Sequence, residues 1–314
     1  MDEPVISVKN IRKSYGKQTV LDGLNFDVKH GSIFALLGEN GAGKTTMVRI
    51  LTTLIKADGG LATIGGYDIK HESQSVKKII SLTGQYAAVD ELLTGEENLQ
   101  MLGRLNHLDR DTVKKRTEKL LNQFDLQDAA KKRAQSYSGG MRRRLDIAIS
   151  LLADPKVIFL DEPTTGLDPR SRKNMWNLIQ QLAENGVTIF LTTQYLEEAD
   201  QLADKIAVIS GGKIIEEGTS EDLKRMVGQD KLELTFRDQT SFHQVKNILE
   251  GQMNENEWSL SVSTEGSTEN LRQLLNKLHE YEIEPASINI RKPTLDDVFM
   301  ELTSDLNEGA SVND

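Results

Sequence analysis

The sequence predicts an α/β chain: a largely parallel sheet carrying a phosphate-binding loop, an antiparallel β subdomain, a helical subdomain and a small C-terminal α+β domain. Three observations predict it. The stretch Gly38-Glu39-Asn40-Gly41-Ala42-Gly43-Lys44-Thr45-Thr46 stands between the apolar runs Ile33–Leu37 and Met47–Leu51, so a buried strand, a glycine-rich turn and a helix start follow one another. Val157–Leu160, Thr188–Leu191 and Ile206–Ile209 are continuous apolar runs, as suits parallel strands buried on both faces. Helical patterns lie between those runs, and that alternation is the mark of crossover-connected parallel strands.

Taken in order, residues 5–11 alternate, and so do Leu24, Phe26 and Val28 with polar residues between them. These predict half-exposed antiparallel strands. Asp58-Gly59-Gly60 and Gly65-Gly66 bracket a further short strand around Ala62–Ile64. Residues from about 86 to 150 are mostly helical: Thr94-Gly95-Glu96-Glu97 is a capping box ahead of Leu99 and Leu102, and Leu120, Leu121 and Phe124 extend the apolar faces. The basic residues at 114–116 and 131–133 are expected on solvated helix surface. Asp168-Pro169 predicts an N-cap with proline at the first helical position, Met175, Ile179, Leu182 and Ala183 mark one face, and Asn185-Gly186 ends that helix.

Near Gly228 the composition shifts. Leu232–Phe236 and Trp258–Val262 alternate, Leu271, Leu274, Leu275 and Leu278 recur at helical spacing, and Ser287–Ile290 forms another short strand. The expected organisation is therefore a domain over residues 1–228 (helical subdomain about 86–150), an accessory α+β domain over 229–304 and a polar tail over 305–314.

Bulk properties exclude several classes. The chain has 314 residues, 38% of them hydrophobic, a net charge of −10 and a pI of about 5.2. That acidity argues against a nucleic-acid footprint. There is no cysteine, hence no disulfide and no thiolate metal site, which fits a reducing compartment. The acidic Met1-Asp2-Glu3-Pro4 lacks the apolar core of a signal peptide. No run approaches the ~18 apolar residues of a membrane span, so any membrane process is served through a partner.

The chemistry begins at the glycine loop. Its bends turn several N–H groups into one concavity that suits an anion, and the helix opening near Gly43 adds its positive end. Lys44 is placed for the β- and γ-phosphates of a nucleotide triphosphate, and Thr45 for Mg²⁺. The strand Val157–Leu160 ends in Asp161-Glu162. Asp161 can hold Mg²⁺ through its water shell, and Glu162 can polarise a water aimed at the γ-phosphate. Tyr137-Ser138-Gly139-Gly140-Met141-Arg142-Arg143-Arg144 opens a helix shortly before that strand, a second anion-binding terminus. A single γ-phosphate does not need two.

The glycine loop, the Ser-Gly-Gly turn and Asp161-Glu162 together resemble the ATP-binding-cassette family over residues 5 to about 225. The resemblance implies a P-loop NTPase (RecA-like) core, a homodimer and ATP·Mg²⁺ as the bound nucleotide. It also implies that Ser138, Gly139 and Gly140 of one copy close over the γ-phosphate held by residues 38–46 of the other. By the same resemblance Tyr15 stacks on adenine, Gln85 touches Mg²⁺ and the attacking water, and Asp168 of Gly166-Leu167-Asp168 crosses the dimer interface. Gln194 stands where the family usually places a histidine. Its amide can donate to a γ-phosphate oxygen but carries neither a proton nor a charge near neutral pH, so it is expected to sense the phosphate by hydrogen bonding alone, with Glu162 as base. Tyr137 and Met141 depart from the usual signature Leu and Gln.

Thr193-Gln194-Tyr195-Leu196-Glu197-Glu198-Ala199-Asp200 and Pro293-Thr294-Leu295-Asp296-Asp297-Val298-Phe299 sharpen the resemblance to the ATPase subunits of daunorubicin-resistance-type exporters. Those pair with a separate membrane permease. The resemblance thus implies a cytoplasmic ATPase held on the inner face of the membrane by its permease, driving multidrug export and antibiotic resistance. The block at residues 86–110 is the expected docking surface. A soluble cassette ATPase acting on a nucleic-acid or ribosomal machine stays open as an alternative, although one cassette, no sustained heptads and the acidic balance disfavour it. A P-loop kinase also stays open, disfavoured by a poised carboxylate where an acceptor pocket would be needed.

Overall fold

The computed structural model describes residues 3–84, 88–227, 230–246, 248–263 and 268–310. The chain divides into two compact units, residues 1–220 and 221–314.

The first unit opens with three antiparallel strands and a short fourth: β1 (Ile6–Tyr15), β2 (Gln18–Val28), then β4 (Gly59–Ile64) and β5 (Tyr67–Asp68), in the order β2-β1-β4-β5. The alternation noted in the sequence is the reason: Ile6, Val8 and Ile11 on one strand and Leu24, Phe26 and Val28 on the next are buried, with exposed residues between them. Between β2 and β4 the chain runs through β3 (Ile33–Leu37), the glycine loop and α1 (Lys44–Leu51).

β3 belongs to a second sheet. α2 (Ser73–Ile79) leads into β6 (Ile80–Thr83); α3 (Gly95–Leu105), α4 (Arg110–Gln123) and α5 (Gly139–Ser150) follow as the helical block. Then come β7 (Val157–Asp161), α6 (Pro169–Glu184), β8 (Thr188–Thr193), α7 (Leu196–Leu202), β9 (Lys205–Ser210) and β10 (Lys213–Gly218). The six strands take the order β10-β9-β3-β8-β7-β6, parallel except for β10. Every residue of β3, β7 and β8 is buried, as strands covered on both faces by crossover helices must be. The non-sequential order puts the ends of β3, β8 and β7 side by side at the carboxyl edge, where ligands of open parallel sheets sit.

The two sheets share one core. Phe26 of β2 stacks on Phe34 of β3 at 5.0 Å between ring centroids; Phe34 meets Phe190 of β8 at 5.4 Å, and Phe190 meets Phe159 of β7 at 5.4 Å. Each such ring contributes about 1.5–3 kcal/mol through removal from water, and together they hold three of the site's strands in register.

Thr94 and Glu97 cap α3 reciprocally, as their spacing predicts. Lys114 and Lys115 are exposed on α4, whereas residues 131–133 are exposed in a turn and not on the helix surface the sequence suggests. Arg116 differs from the surface expectation: it is half-buried and donates to the Leu152 carbonyl oxygen, because the helix phase turns it toward the segment after α5 while its neighbours face solvent.

The second unit begins within α8 (Ser220–Met226) and continues with β11 (Lys231–Thr235), α9 (Gln239–Lys246), β12 (Gln252–Asn254), β13 (Ser259–Ser263), α10 (Thr268–Glu280), β14 (Ser287–Arg291) and α11 (Leu295–Ala310). Its antiparallel sheet has the order β12-β13-β11-β14. Leu232, Leu234, Phe236, Phe242, Leu260, Leu278 and Ile283 form its own core. Among the described residues no helix is long and apolar enough to cross a membrane.

Candidate functional site

The glycine loop sits at the carboxyl end of β3, and sterics dictate its residue types. Gly41 has φ +86° and Gly43 φ +108°, backbone that an L side chain rarely adopts. A Cβ on Gly43 would lie 2.6 Å from Leu21 Cδ2 and 2.9 Å from the Val20 carbonyl oxygen; one on Gly38 would lie 2.3 Å from the Ile209 carbonyl oxygen. The loop is thus pressed against β2 on one side and β9 on the other. α1 starts at Lys44 with no side-chain cap and no acidic residue in its first turn, which leaves the positive helix end available to an anion.

Lys44 is 4% exposed. Its ammonium donates to the carbonyl oxygens of Gly38 (2.8 Å) and Glu39 (3.0 Å) and lies 3.7 Å from Glu162 Oε1. Burial pulls its pKa below the usual lysine value, and the carboxylates of Glu162 and Asp161 oppose that pull.

Asp161 ends β7 and is also 4% exposed. Its Oδ1 accepts from Thr45 Oγ1 at 3.3 Å and from Thr192 Oγ1 at 2.5 Å. Three elements therefore converge: Thr45 on α1, Thr192 on β8 and Asp161 on β7, with Asp161 and Thr192 in register. A serine or threonine hydroxyl beside a carboxylate is a hard-oxygen donor set that suits Mg²⁺, so these residues fit an ATP·Mg²⁺ complex.

Glu162 follows with φ +51°, a conformation that costs a non-glycine residue about 1–2 kcal/mol. Its N–H donates to Thr192 (3.1 Å to the carbonyl oxygen, 3.2 Å to Oγ1), and its Oε2 accepts from Thr165 Oγ1 at 3.3 Å. The backbone is held in the left-handed region and the side chain is turned toward Lys44.

The other expected site residues are placed as follows. Gln194 follows β8 directly and is half-buried. Tyr15 ends β1, 50% exposed, with Lys13 Nζ 5.5 Å from its ring centre, so the ring is open to solvent instead of packed in the core. Asp168 caps α6, accepting from Ser171 N at 3.0 Å and Ser171 Oγ at 2.6 Å. Gln85 lies outside the described residues. Ser138 caps α5, its Oγ accepting from Met141 N at 3.2 Å. Within one chain, then, Lys44, Thr45, Asp161 and Glu162 come together. No hydrogen bond among the described residues joins Ser138, Gly139 or Gly140 to them.

Sequence reasoning missed the residues that hold this cluster. Thr192 was visible only as the first of two threonines closing an apolar strand. Arg143 was quoted in the signature stretch without a role. Its side chain is 10% exposed, and all five guanidinium N–H groups are used: Nε to Pro163 O (2.9 Å), Nη1 to Gly84 O (2.6 Å) and Asp146 Oδ2 (3.2 Å), Nη2 to Asp161 O (3.3 Å) and Glu162 O (3.5 Å). Asp146, 4% exposed, also accepts from Ala88 N at 2.8 Å. Burial raises the Asp146 carboxyl and lowers the Arg143 guanidinium from their ordinary values, while each supports the charge of the other.

Glu198 on α7 is buried. Its Oε1 accepts from Thr164 Oγ1 (2.7 Å) and Trp176 Nε1 (3.1 Å). Burial pushes this carboxyl above the usual range, against hydrogen bonds from Thr193, Thr164 and Trp176.

The chain resembles known proteins over nearly its whole length. Residues 21–165 match the family described as ABC transporter, and residues 218–303 match that described as ATP-binding protein DrrA1-3-like, C-terminal domain. A daunorubicin resistance ATP-binding protein of Streptomyces coeruleorubidus is 44% identical over 97% of this chain and 98% of its own length. A doxorubicin resistance ATP-binding protein of Mycobacterium tuberculosis is 44% identical over 98% of this chain and 96% of its own. Among solved structures, a dimeric, post-hydrolysis ATP-binding cassette bound to ADP and Pi superposes with a TM-score of 0.61 at 25% identity, over 68% of this chain and 98% of that one. The chain therefore belongs to the ABC transporter family, as an ATP-binding, ATP-hydrolysing subunit of the daunorubicin/doxorubicin-resistance type.

Proposed function

We propose that two copies of this chain enclose two ATP·Mg²⁺ and drive a separate membrane permease that exports a drug or other hydrophobic compound. The observation that carries this reading is the division of the phosphate-ready groups. Lys44, Thr45, Asp161 and Glu162 form one cluster, while the helix end at Ser138–Gly140 is hydrogen-bonded to none of them among the described residues. A second copy supplies what the first lacks. The names of the relatives support drug export, and the dimeric cassette bound to ADP and Pi supports the pairing.

In this reading the N–H groups of residues 38–46 and the Lys44 ammonium bind the phosphates, Tyr15 stacks on adenine, and Thr45, Asp161 and Gln85 hold Mg²⁺. When bound there, that ion would neutralise charge on the phosphate oxygens. Glu162 takes a proton from the attacking water as its oxygen bonds the γ-phosphorus and the bond to the leaving ADP oxygen breaks. Gln194 donates to a γ-phosphate oxygen. Ser138, Gly139 and Gly140 of the second copy stabilise the γ-phosphate charge from the far side, and Asp168 lies at the same interface. Residues 86–110 dock the permease on the inner face of the membrane.

The test separates the two half-sites. Lys44→Ala abolishes ATP binding and with it ATP-driven dimerisation, read by sedimentation. Ser138→Arg leaves ATP binding by the monomer intact and blocks the dimer. A Ser138→Arg chain that still dimerises on ATP overturns the reading. Hydrolysis without any added acceptor excludes the kinase alternative, and a co-expressed permease captured equally well by surface variants of residues 86–110 counts against that docking surface.

A further inference from the structure

The Arg143–Asp146 pair lies outside the groups assigned to ATP, yet it connects them. Arg143 stands one turn into α5, four residues after Gly139, so whatever moves the start of that helix moves Arg143 by a similar amount. Its guanidinium gathers the carbonyl oxygens of Asp161, Glu162 and Pro163, three successive residues wound around one planar group. That winding requires the positive φ of Glu162, because extended backbone would send alternate carbonyls to opposite sides. The third N–H position reaches Gly84, and Asp146 holds Ala88. The two residues thus tie the signature helix to the strand end bearing Glu162 and to both flanks of residues 85–87.

We propose that Arg143 and Asp146 form a positioning clasp that couples the two nucleotide sites of the dimer. When Ser138–Gly140 of one copy engages the γ-phosphate held by the other, α5 shifts, and Arg143 carries the Asp161–Pro163 carbonyls with it. Glu162 of the first copy is thereby set for the water in its own site. The clasp fits this task better than a surface contact because buried polar groups with full partners have few alternative arrangements. Lysine could not replace arginine here, since a single ammonium has three donors and no planar fork. The proposal rests on the dimeric reading above.

The experiment uses the full-length chain. The parent hydrolyses ATP with a sigmoidal concentration dependence, its Hill coefficient lying between about 1 and about 2 for two sites. Arg143→Gln/Asp146→Asn removes both charges together and leaves no unpaired buried ion. In this double variant kcat falls on the order of 10²-fold, as small misplacements of a reacting group do, and the Hill coefficient falls to about 1. Equilibrium ATP binding, and ATP-driven dimerisation measured in a Glu162→Gln background, stay within about twofold of the parent, a loss under 1 kcal/mol.

A parent that is already hyperbolic overturns the proposal. So does a double variant with the parent's Hill coefficient, which would make the pair a structural tie only. If the double variant does not fold, Arg143→Lys keeps the charge facing Asp146 but reaches fewer carbonyls, and a parental Hill coefficient there overturns the proposal equally. Failure of the Glu162→Gln chain itself to dimerise on ATP, with the clasp intact, sinks the dimeric reading instead.

Discussion

Two helix starts of this chain carry glycine, Gly43 as the N-cap of α1 and Gly139 as the first residue of α5, and they differ in what surrounds them. At α1 the glycine is compelled by the chain itself: Gly43 has φ +108° and no room for a Cβ against Leu21 and Val20. No side chain caps the helix, and a buried lysine and two carboxylates stand around its end. At α5 the cap is present, Ser138 bonding Met141 N, and a Cβ on Gly139 would meet only Leu167 Cδ2 at 3.9 Å. Gly140 is tighter, since a Cβ there would lie 2.9 Å from Ser171 Oγ and 3.1 Å from Ser171 Cβ. The first end is shaped by internal packing. The second has room at Gly139 that its own chain leaves open, which is the shape expected of a surface that meets its ligand only in the assembly.

The largest expected effect tests the compelled end. Gly43→Ala adds strain of about 1–3 kcal/mol to an overlap with backbone, and ATP affinity falls on the order of 10²-fold, read by equilibrium nucleotide binding. Unchanged affinity would show that the loop has more freedom than its contacts allow. Thr192→Val keeps the shape of the side chain and removes the hydroxyl that holds Asp161 Oδ1 and the Glu162 N–H. A tenfold to hundredfold loss in steady-state turnover is about what removing the partner of a metal-holding carboxylate produces.

The sharpest test of the comparison is Gly139→Ala. Alanine in a helix is favoured over glycine by up to about 1 kcal/mol and finds room here, so the melting temperature of the monomer stays level or rises. ATP-driven dimerisation nonetheless weakens, by about tenfold if the added methyl costs about 1.4 kcal/mol at the interface. A variant that is more stable and dimerises as well as the parent removes the distinction between the two helix ends.

The smallest effect concerns the segment joining them. Glu198 holds Thr164, which lies between Glu162 and Asp168. Its pKa is raised in the fold above the ordinary 4.5, so its favourable contribution is full below that value and is lost as pH rises through the folded pKa. Glu198→Gln can still accept from Thr164 and Trp176 but does not titrate. Denaturant melts from about pH 5 to about pH 8 should therefore shift in favour of the variant as pH rises. A constant difference between the two proteins would mean that the carboxyl is not displaced.

Much of the nucleotide site was legible because it is local. Glycine spacing, a strand before and a helix after are properties of one short stretch, Ile33–Leu51, and Asp161-Glu162 ends a run whose burial is written in its composition. Thr94, Glu97, Asp168 and Pro169 announced their helix starts for the same reason: a cap needs partners only two or three residues away. The polar supports were hidden because their partners are far along the chain. Thr192 meets Asp161 across 31 residues, Arg143 meets Gly84 across 59, and Ala88 meets Asp146 across 58.

Arg142, Arg143 and Arg144 are three identical letters in the sequence. Helix phase alone sends Arg143 inward, while Arg142 pairs with Glu91 and Arg144 with Asp125 nearer the surface. By itself the sequence determined that the chain holds a nucleotide loop, a carboxylate pair and a second anion-binding helix end, because each depends on backbone conformations that short patterns encode. Only the tertiary structure decided that the first two form one cluster without the third, and that a single buried guanidinium ties that third element back to Glu162. Both outcomes depend on strand order and helix phase, which bring together atoms that no local pattern relates.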